Sequence, residues 1–306
     1  MLLQYDNGLV RTRRLEGYLR SLAWSPIDSS LVLVGNYGMT LRIDEEKTTN
    51  LAAPTKQNLR ALSINPLDGR ILIVGNTGTI LLFDKDDGFS KIDASTTENL
   101  RAVSWDPKGR MALIAGNAGT LLKYSSQTIE TIDDGRANLR HISWRPAASE
   151  ALITSNCFAE EFIPSANLFT YDANKGIVTP VNEGRVDLMG ADWNPIGESA
   201  IVVGYDVVWH TGFIGGFKGK SLSPIQFENK RVYPVAVAWD PSGEIVAIVT
   251  AAAQLGMGNG SLYLWDGQSM KVVYSNEEFF FSAVAWNLKT KRLAAIASTS
   301  TRTFNC

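Results

Sequence analysis

The chain has 306 residues, of which 45% are hydrophobic and 20% are charged, and its formal net charge is −2. This charge does not favour global electrostatic attraction to nucleic acid or to an anionic membrane. Two cysteines cannot form a disulfide framework, and no apolar run reaches the roughly 18 residues of a membrane-spanning helix. We therefore expect a cytoplasmic protein with no membrane association.

Two short strand-like segments, LLQYD and LVRTRR, open the chain within residues 1–14. After them an apolar stretch ending in tryptophan and a turn begins to recur, at intervals of 39 to 49 residues. Its seven slots hold Trp24, Ile64, Trp105, Trp144, Trp193, Trp239 and Trp286. A repeat of this length is typical of a β-propeller with one blade per copy.

Residues 100–134 show the repeating unit most clearly. Four runs, LRAVSW, MALIAGN, TLLKYSS and TIETID, are separated by turn residues, which predicts four strands, a to d, from the central channel outward. Strands a and b are almost continuously apolar, as expected where each blade lies between two neighbours. Strand d is more polar, as expected of an outer edge.

A second marker, an apolar or aromatic residue usually followed by Asp, closes strand c. It occurs at Ile43-Asp44, Phe83-Asp84, Tyr124-Ser125, Tyr171-Asp172, Trp209-His210 and Trp265-Asp266, and also at Tyr5-Asp6. The Tyr5-Asp6 pair predicts that the N-terminal segments supply strands c and d of the last blade, although TRTFNC at 301–306 could compete for strand c. We predict an all-β fold in one domain, 1–306: a seven-bladed propeller of four-stranded antiparallel blades, closed by residues 1–14 and 282–306 together.

The strand order, the Gly-Asn turns and the literal Trp265-Asp266 pair resemble the WD-repeat propeller family. The Gly-His dipeptide that usually opens a WD repeat is absent, and Asn-Leu-Arg stands in its place at 58–60, 99–101 and 138–140. The resemblance implies a non-enzymatic platform on which protein complexes assemble.

Two insertions lengthen the b–c connections of blades 4 and 6. The first includes Cys157, Phe158, Glu160, Glu161 and Phe162, and the second includes Leu255 and Met257. Apolar residues in long loops suggest a contact surface for a partner, with Phe158, Phe162, Leu255 and Met257 as its candidates. The alternative is that both insertions fold down and cap blade 5.

Blade 5 departs from the repeat in another way. If Trp209-His210 marks its strand c, residues 212–220 form a glycine-rich c–d loop on the opposite face. Phe213, Phe217, Lys218 and Lys220 would then form a second binding surface, unless the loop packs on itself.

An arginine series opens strand a in the first four blades, at Arg20, Arg60, Arg101 and Arg140. Blades 5 to 7 have Met189, Val235 and Ser282 at the equivalent position. We expect the arginines to form an arc around half of the channel mouth, on the face that carries the b–c loops. Guanidinium groups suit carboxylates and phosphates, so the arc predicts an anion site. The alternative is structural: each arginine bonds to neighbouring loop carbonyls and carboxylates.

The sequence presents no catalytic constellation and no metal or cofactor site. His141 and His210 lie in different blades without a local acidic partner, and neither Cys157 nor Cys306 has a ligand-like spacing. The leading hypothesis is a non-enzymatic scaffold, a monomer or a subunit of a hetero-complex, that binds a protein or an acidic peptide.

Two other functions stay open. One is a small-ligand-binding propeller, or a hydrolase or lyase, with its site at the channel mouth; a polar pocket with a histidine beside carboxylates would favour it. An open, apolar-rimmed, positively charged face would favour the scaffold. The other is nucleic-acid association through Lys218, Lys220, Lys230 and Arg231, which the overall charge does not support.

Overall fold

The computed structural model describes residues 1–45, 47–132, 137–156, 165–206, 209, 211–226, 232–252 and 260–299. These residues form seven four-stranded antiparallel sheets arranged as the blades of a ring. The predicted all-β, seven-bladed propeller is therefore confirmed. No helix among the described residues is long and apolar enough to cross a membrane.

The strands follow the predicted a, b, c, d order. Blade 1 contains β3 (Leu19–Trp24), β4 (Leu31–Gly35), β5 (Thr40–Asp44) and β6 (Lys47–Asn50), with a 3-10 turn at Asn36–Gly38. Blade 2 contains β7 (Leu59–Ile64), β8 (Ile71–Gly75), β9 (Ile80–Asp84) and β10 (Gly88–Ile92). Blade 3 contains β11 (Leu100–Trp105), β12 (Met111–Gly116), β13 (Leu121–Ser125) and β14 (Thr128–Ile132).

In the remaining blades, strands a and b are longer than in blades 1 to 3. Blade 4 contains β15 (Asn138–Trp144), β16 (Glu150–Asn156), β17 (Ser165–Asp172) and β18 (Ile177–Gly184). Blade 5 contains β19 (Val186–Trp193), β20 (Ser199–Asp206), β21 (Thr211–Lys218) and β22 (Ser221–Ile225). Blade 6 contains β23 (Val232–Trp239), β24 (Val246–Ala252), β25 (Gly260–Trp265) and β26 (Met270–Asn276). Blade 7 contains β27 (Phe279–Trp286), β28 (Leu293–Thr299), β1 (Leu2–Asp6) and β2 (Leu9–Arg13).

The two ends of the chain share blade 7, as predicted. Strand β1 pairs with β28, with Leu2 opposite Ile296, so the blade has the order β2-β1-β28-β27. Its strand a begins at Phe279, three residues before the expected start at 282. The competing segment TRTFNC lies outside the described residues.

The repeated tryptophan joins neighbouring blades. Trp144 Nε1 donates to the Ser104 carbonyl of the preceding blade at 3.0 Å. The same bond is made by Trp24, Trp239 and Trp286. The indole also packs edge-on against the aromatic marker of its own strand c, as Trp144 does with Tyr171 at 6.1 Å. The two sequence markers are thus the two halves of one packing unit.

Blade 5 corrects one of the predictions. Residues 211–218 form strand β21, and not a c–d loop, and Trp209 is an exposed turn residue before that strand. Phe217 fills the marker position, because it is fully buried and packs edge-on against Trp193 at 5.7 Å. The marker was misassigned because Trp209 looks like the conserved aromatic, whereas Phe217 is followed by a lysine in place of Asp.

Candidate functional site

Every strand a carries a β-bulge near its start, and the bulged residue is the one that holds the arginine series. In blade 1 the pairing with β4 passes from Leu19 directly to Ser21, which leaves Arg20 as the extra residue. The corresponding residues are Arg60, Arg101, Arg140, Met189, Val235 and Ser282. A bulge turns a side chain away from the alternation of its strand. Here it turns one residue per blade toward the channel.

These residues meet at the face of the ring that carries the b–c connections, called the b–c face below. Leu19 pairs with Gly35, so the start of strand a lies beside the end of strand b. A cavity of about 380 Å³ opens at the centre of this face, the channel mouth. Its lining includes all four series arginines, Arg20, Arg60, Arg101 and Arg140.

An asparagine at the end of strand b orients three of the arginines. Arg20 Nε donates to Asn36 Oδ1 at 2.9 Å, and the equivalent bonds of Arg60 to Asn76 and Arg101 to Asn117 measure 2.7 and 3.0 Å. An amide oxygen carries no formal charge, so it fixes the guanidinium without neutralising it. The structural alternative, in which each arginine bonds to neighbouring loop carbonyls and carboxylates, is met in part, because each of these three guanidiniums bonds to the amide oxygen of a loop asparagine in its own blade.

Blade 4 is the exception. Asn156 occupies the same position, but its Oδ1 is buried and accepts no hydrogen bond from any described residue. The charge of Arg140 instead acts on the phenol of Tyr205 in blade 5, as does the charge of Asp187. The arginine–asparagine bond is therefore repeated in blades 1 to 3. In blade 4 it is replaced by an electrostatic interaction of Arg140 with Tyr205 of blade 5.

The Asn-Leu-Arg motif links each blade to the one before it. Asn99 Oδ1 accepts the backbone N–H of Thr77 in the preceding b–c turn at 3.2 Å, and Asn58 and Asn138 bond in the same way. The leucine is buried in the core, and the arginine faces the channel. A Cβ on Gly75 would lie 2.5 Å from the Asn58 carbonyl, which explains the glycine of the Gly-Asn turns.

The arginine arc is strongly cationic. Burial lowers the pKa of Arg101 to about 10, and the positive charges of Arg60 and Arg140 lower it further in the same direction. The guanidinium still carries its proton at neutral pH. Among the described residues that line the cavity there is no Asp or Glu. An anion that enters the channel mouth would meet several guanidinium groups, and the carboxylate of Asp187 lies near the end of the arc, beside Tyr205.

The other half of the cavity is apolar. The bulged residues of blades 5 and 6 are Met189 and Val235, and both line the cavity. Val235 packs against Phe280 and Ala251, which are buried behind it and also reach the cavity wall. The channel mouth thus has a cationic side over blades 1 to 4 and a largely apolar side over blades 5 to 7, where Ser282 of blade 7 adds one hydroxyl group. Phe280 was not identified from the sequence, although the run of three phenylalanines at 279–281 was a visible signal.

A stacked aromatic pair lies beside the end of the arc. The rings of Tyr205 and Tyr233 are 4.5 Å apart with an interplanar angle of 25°. Burial, followed by the charge of Asp187, raises the pKa of Tyr205 to about 12. The phenol therefore stays neutral at physiological pH.

His141 lines the same cavity. Its Nδ1 accepts the backbone N–H of Ala191 at 3.4 Å, and burial lowers the pKa of the imidazole to about 4. His141 is therefore neutral at pH 7. The described part of the chain holds no cluster of three or more His, Cys, Asp or Glu side chains that could bind a metal ion. His210, Cys157, Cys306, Glu160 and Glu161 lie outside the described residues.

The other predicted binding residues are not brought to this site. Phe158, Phe162, Leu255 and Met257 lie outside the described residues. Phe217 is fully buried in blade 5, so it does not belong to a surface, and Phe213 packs against the same core. Lys218 and Lys220 are exposed at the c–d turn of blade 5.

Comparisons with known proteins give the fold alone. No protein-family model matches the chain, and no curated protein matches it. Among solved structures, hydrazine synthase of Kuenenia stuttgartiensis superposes with a TM-score of 0.72 at 14% identity, covering 97% of this chain and 99% of that one. The Cps50 (Swd1) β-propeller domain of Myceliophteria thermophila gives a TM-score of 0.67 at 15% identity, covering 94% and 98%.

Proposed function

We propose that this chain is a WD-repeat-like binding propeller that holds a protein or peptide over its b–c face and receives an anionic group of that partner at the channel mouth. The observation that carries the proposal is the convergence of Arg20, Arg60, Arg101 and Arg140 on one cavity. Carboxylate and phosphate groups are the ligands that such guanidinium clusters recognise.

The cavity chemistry favours binding over catalysis. The histidine in the wall is neutral, accepts a backbone hydrogen bond and has no carboxylate beside it among the lining residues. A carboxylate usually orients a histidine that acts as a general base, and a pKa of about 4 makes His141 a weak base at neutral pH. The combination of positive charge with an apolar wall is instead typical of a surface that binds a protein or a peptide. The likeness to the Cps50 (Swd1) domain is compatible with this proposal, although likeness at 15% identity supports the fold only.

The test is affinity capture from the protein's own cell extract with three tagged baits. The first is the wild-type chain. The second carries Arg60→Gln, Arg101→Gln and Arg140→Gln. The third carries Arg→Gln changes at the exposed residues 11, 13 and 110, which remove the same charge away from the cavity.

A stoichiometric partner that is retained by the first and third baits and lost by the second supports the proposal. All three proteins must give the same far-UV circular dichroism and melt cooperatively. A partner that the second bait retains in full would show that binding lies elsewhere on the ring. Capture of no partner by any bait would contradict the scaffold function.

A further inference from the structure

We infer that the anionic group bound at the channel mouth is a free C-terminal carboxylate, and that the chain bearing it ends in an apolar side chain. This inference rests on the proposed function and specifies its ligand. It follows from the two-sided character of the cavity, from its size and from the way in which the arginines are held.

The first argument is the division of the cavity wall. Arg20, Arg60, Arg101 and Arg140 cover four consecutive blades, and the other side is lined mainly by apolar side chains, among them Met189, Val235 and Phe280, together with the hydroxyl of Ser282. A ligand that satisfies both sides must carry an anion and an apolar group within the width of one cavity. In a polypeptide these two groups are adjacent when the last residue is apolar, because the α-carboxylate and the side chain share one Cα. An acidic side chain brings the anion without an apolar neighbour on the same residue.

The second argument is volume. The cavity measures about 380 Å³, which is near the lower end of the range of about 300–1,000 Å³ for small-ligand pockets. An internal acidic segment would have to enter and return, and two neighbouring strands already lie about 4.8 Å apart before side chains are counted. A chain terminus enters as a single strand. The cavity therefore suits the last one or two residues of a chain better than a loop.

The third argument is preorganisation. The Nε atoms of Arg20, Arg60 and Arg101 are each bonded to an asparagine of their own blade, which sets the plane of each guanidinium before any ligand arrives. The asparagines are in turn fixed by their place at the end of strand b. A planar carboxylate can accept two parallel hydrogen bonds from a guanidinium held in this way. Because the arginines need not be reoriented, little side-chain entropy is lost on binding.

The same chemistry occurs in free apolar carboxylic acids, so the test must separate a small acid from a protein terminus. We would measure fluorescence anisotropy with N-terminally labelled peptides GSGSL and GSGSF, each as the free acid and as the C-terminal amide. GSGSK tests the apolar requirement, and an acetylated, amidated GDEDEG tests an internal acidic segment. N-acetylleucine and isovalerate are unlabelled competitors.

The free acids of GSGSL and GSGSF should bind at least about tenfold more tightly than their amides, because a charge-assisted hydrogen bond is lost on amidation. They should also bind more tightly than GSGSK. Arg101→Gln should weaken the free acids to the level of the amides, whereas the exposed control Arg110→Gln should not. Val235→Asn should reduce the preference for leucine over lysine and leave the difference between acid and amide intact.

The possible failures are distinguishable. If GDEDEG binds and the free acids equal their amides, the proposed anion site stands and the carboxyl-terminal inference is wrong. If isovalerate binds as tightly as GSGSL, the ligand is a small acid and not a protein terminus. If no anionic probe binds, or if all bind the Arg101→Gln variant equally, the inference and the anion site both fail. Matching thermal melts of the variants exclude misfolding as the cause.

Discussion

The carboxyl group of Asp192 is predicted to make part of the stability of this ring depend on pH. Asp192 lies on strand β19 between the inner strands of blades 4 and 6. Its Oδ2 accepts the Trp239 backbone N–H at 2.8 Å, and its Oδ1 accepts the Ser143 hydroxyl at 3.3 Å. Burial outweighs these bonds and raises the pKa of Asp192 to about 7. We predict that Asp192→Asn stabilises the protein above neutral pH.

The size of the effect follows from the shift. The folded pKa is about 7 against an ordinary value of 3.8 for aspartate, so the folded state binds more protons than the unfolded state between these two pH values. The stability that Asp192 contributes is therefore complete below pH 3.8 and is lost as the pH rises through about 7. Each pH unit between the unfolded and folded pKa values lowers the free energy of unfolding by about 1.4 kcal/mol. Roughly 2 to 3 kcal/mol of stability is therefore lost between about pH 5 and pH 8. Because the Asp192 residue is only partly buried, about 2 kcal/mol is the expected figure.

The assay is equilibrium urea unfolding of the wild-type chain and Asp192→Asn at pH 5, 6, 7 and 8, with refolding checked at each pH. The wild-type curve alone is not informative, because His141 acts in the opposite direction. The pKa of His141 is depressed to about 4, so its contribution is present above its ordinary pKa and is lost as the pH falls through about 4. The difference between the two proteins isolates Asp192.

The free energy of unfolding of Asp192→Asn should exceed that of the wild-type chain by an amount that grows by about 2 kcal/mol from about pH 5 to pH 8. Asp240→Asn is the matched control. Asp240 caps a turn by accepting the backbone N–H groups of Ser242, Glu244 and Ile245, and its pKa is lowered, so the same substitution should destabilise the protein at pH 8. A difference that is constant across this pH range would refute the reasoning for Asp192.

Three further predictions test the packing of the ring, two of them by comparing a pair of substitutions, and each is checked by thermal or urea unfolding. Trp144→Phe should cost about 1 kcal/mol more than Trp105→Phe, because Trp144 Nε1 makes an interblade bond and the buried Trp105 Nε1 has no partner among the described residues; equal costs would contradict this. Gly78→Ala should cost more than about 2 kcal/mol, because φ is +62° and the new Cβ would lie 1.9 Å from a carbonyl oxygen, whereas Gly88→Ala, with open space around it, should cost about 1 kcal/mol. Leu3→Ala should cost about 2–5 kcal/mol, because Leu3 is fully buried in the closing blade; a near-neutral result would show that the N-terminal strand contributes little.

The fold was predictable because its signals repeat. One degenerate copy, with Ile64 in place of tryptophan, does not hide a period that six other copies show. The closure of blade 7 was also predictable from the sequence, because Tyr5-Asp6 belongs to a series of strand c markers whose other members are spread along the chain. The strand c marker of blade 5 was assigned wrongly because residue types were visible in the sequence and strand pairing was not. By residue type, Trp209 resembles the marker more closely than Phe217-Lys218 does.

The candidate site was only partly predictable. The arginine positions and their half-ring distribution are visible in the sequence. The bulges that turn these side chains toward the channel are not, because a bulge is a property of the pairing between two strands. The asparagines that hold the guanidiniums follow 16 residues after each arginine, in the Gly-Asn turns, and this spacing could have been noticed. The place of Phe280 in the apolar wall of the cavity could not be predicted from the sequence, because it depends on how blade 7 closes the ring.

We propose that the four arginines make the channel mouth an anion site. Isothermal titration of citrate, a small tricarboxylate, into the wild-type chain, the Arg60→Gln/Arg101→Gln variant and the Arg110→Gln control tests it most directly. We predict one citrate per chain for the wild type and the control, with a dissociation constant at or below about 1 mM, and no measurable binding to the double variant. Equal binding by all three proteins, or no binding by any of them, would contradict the account.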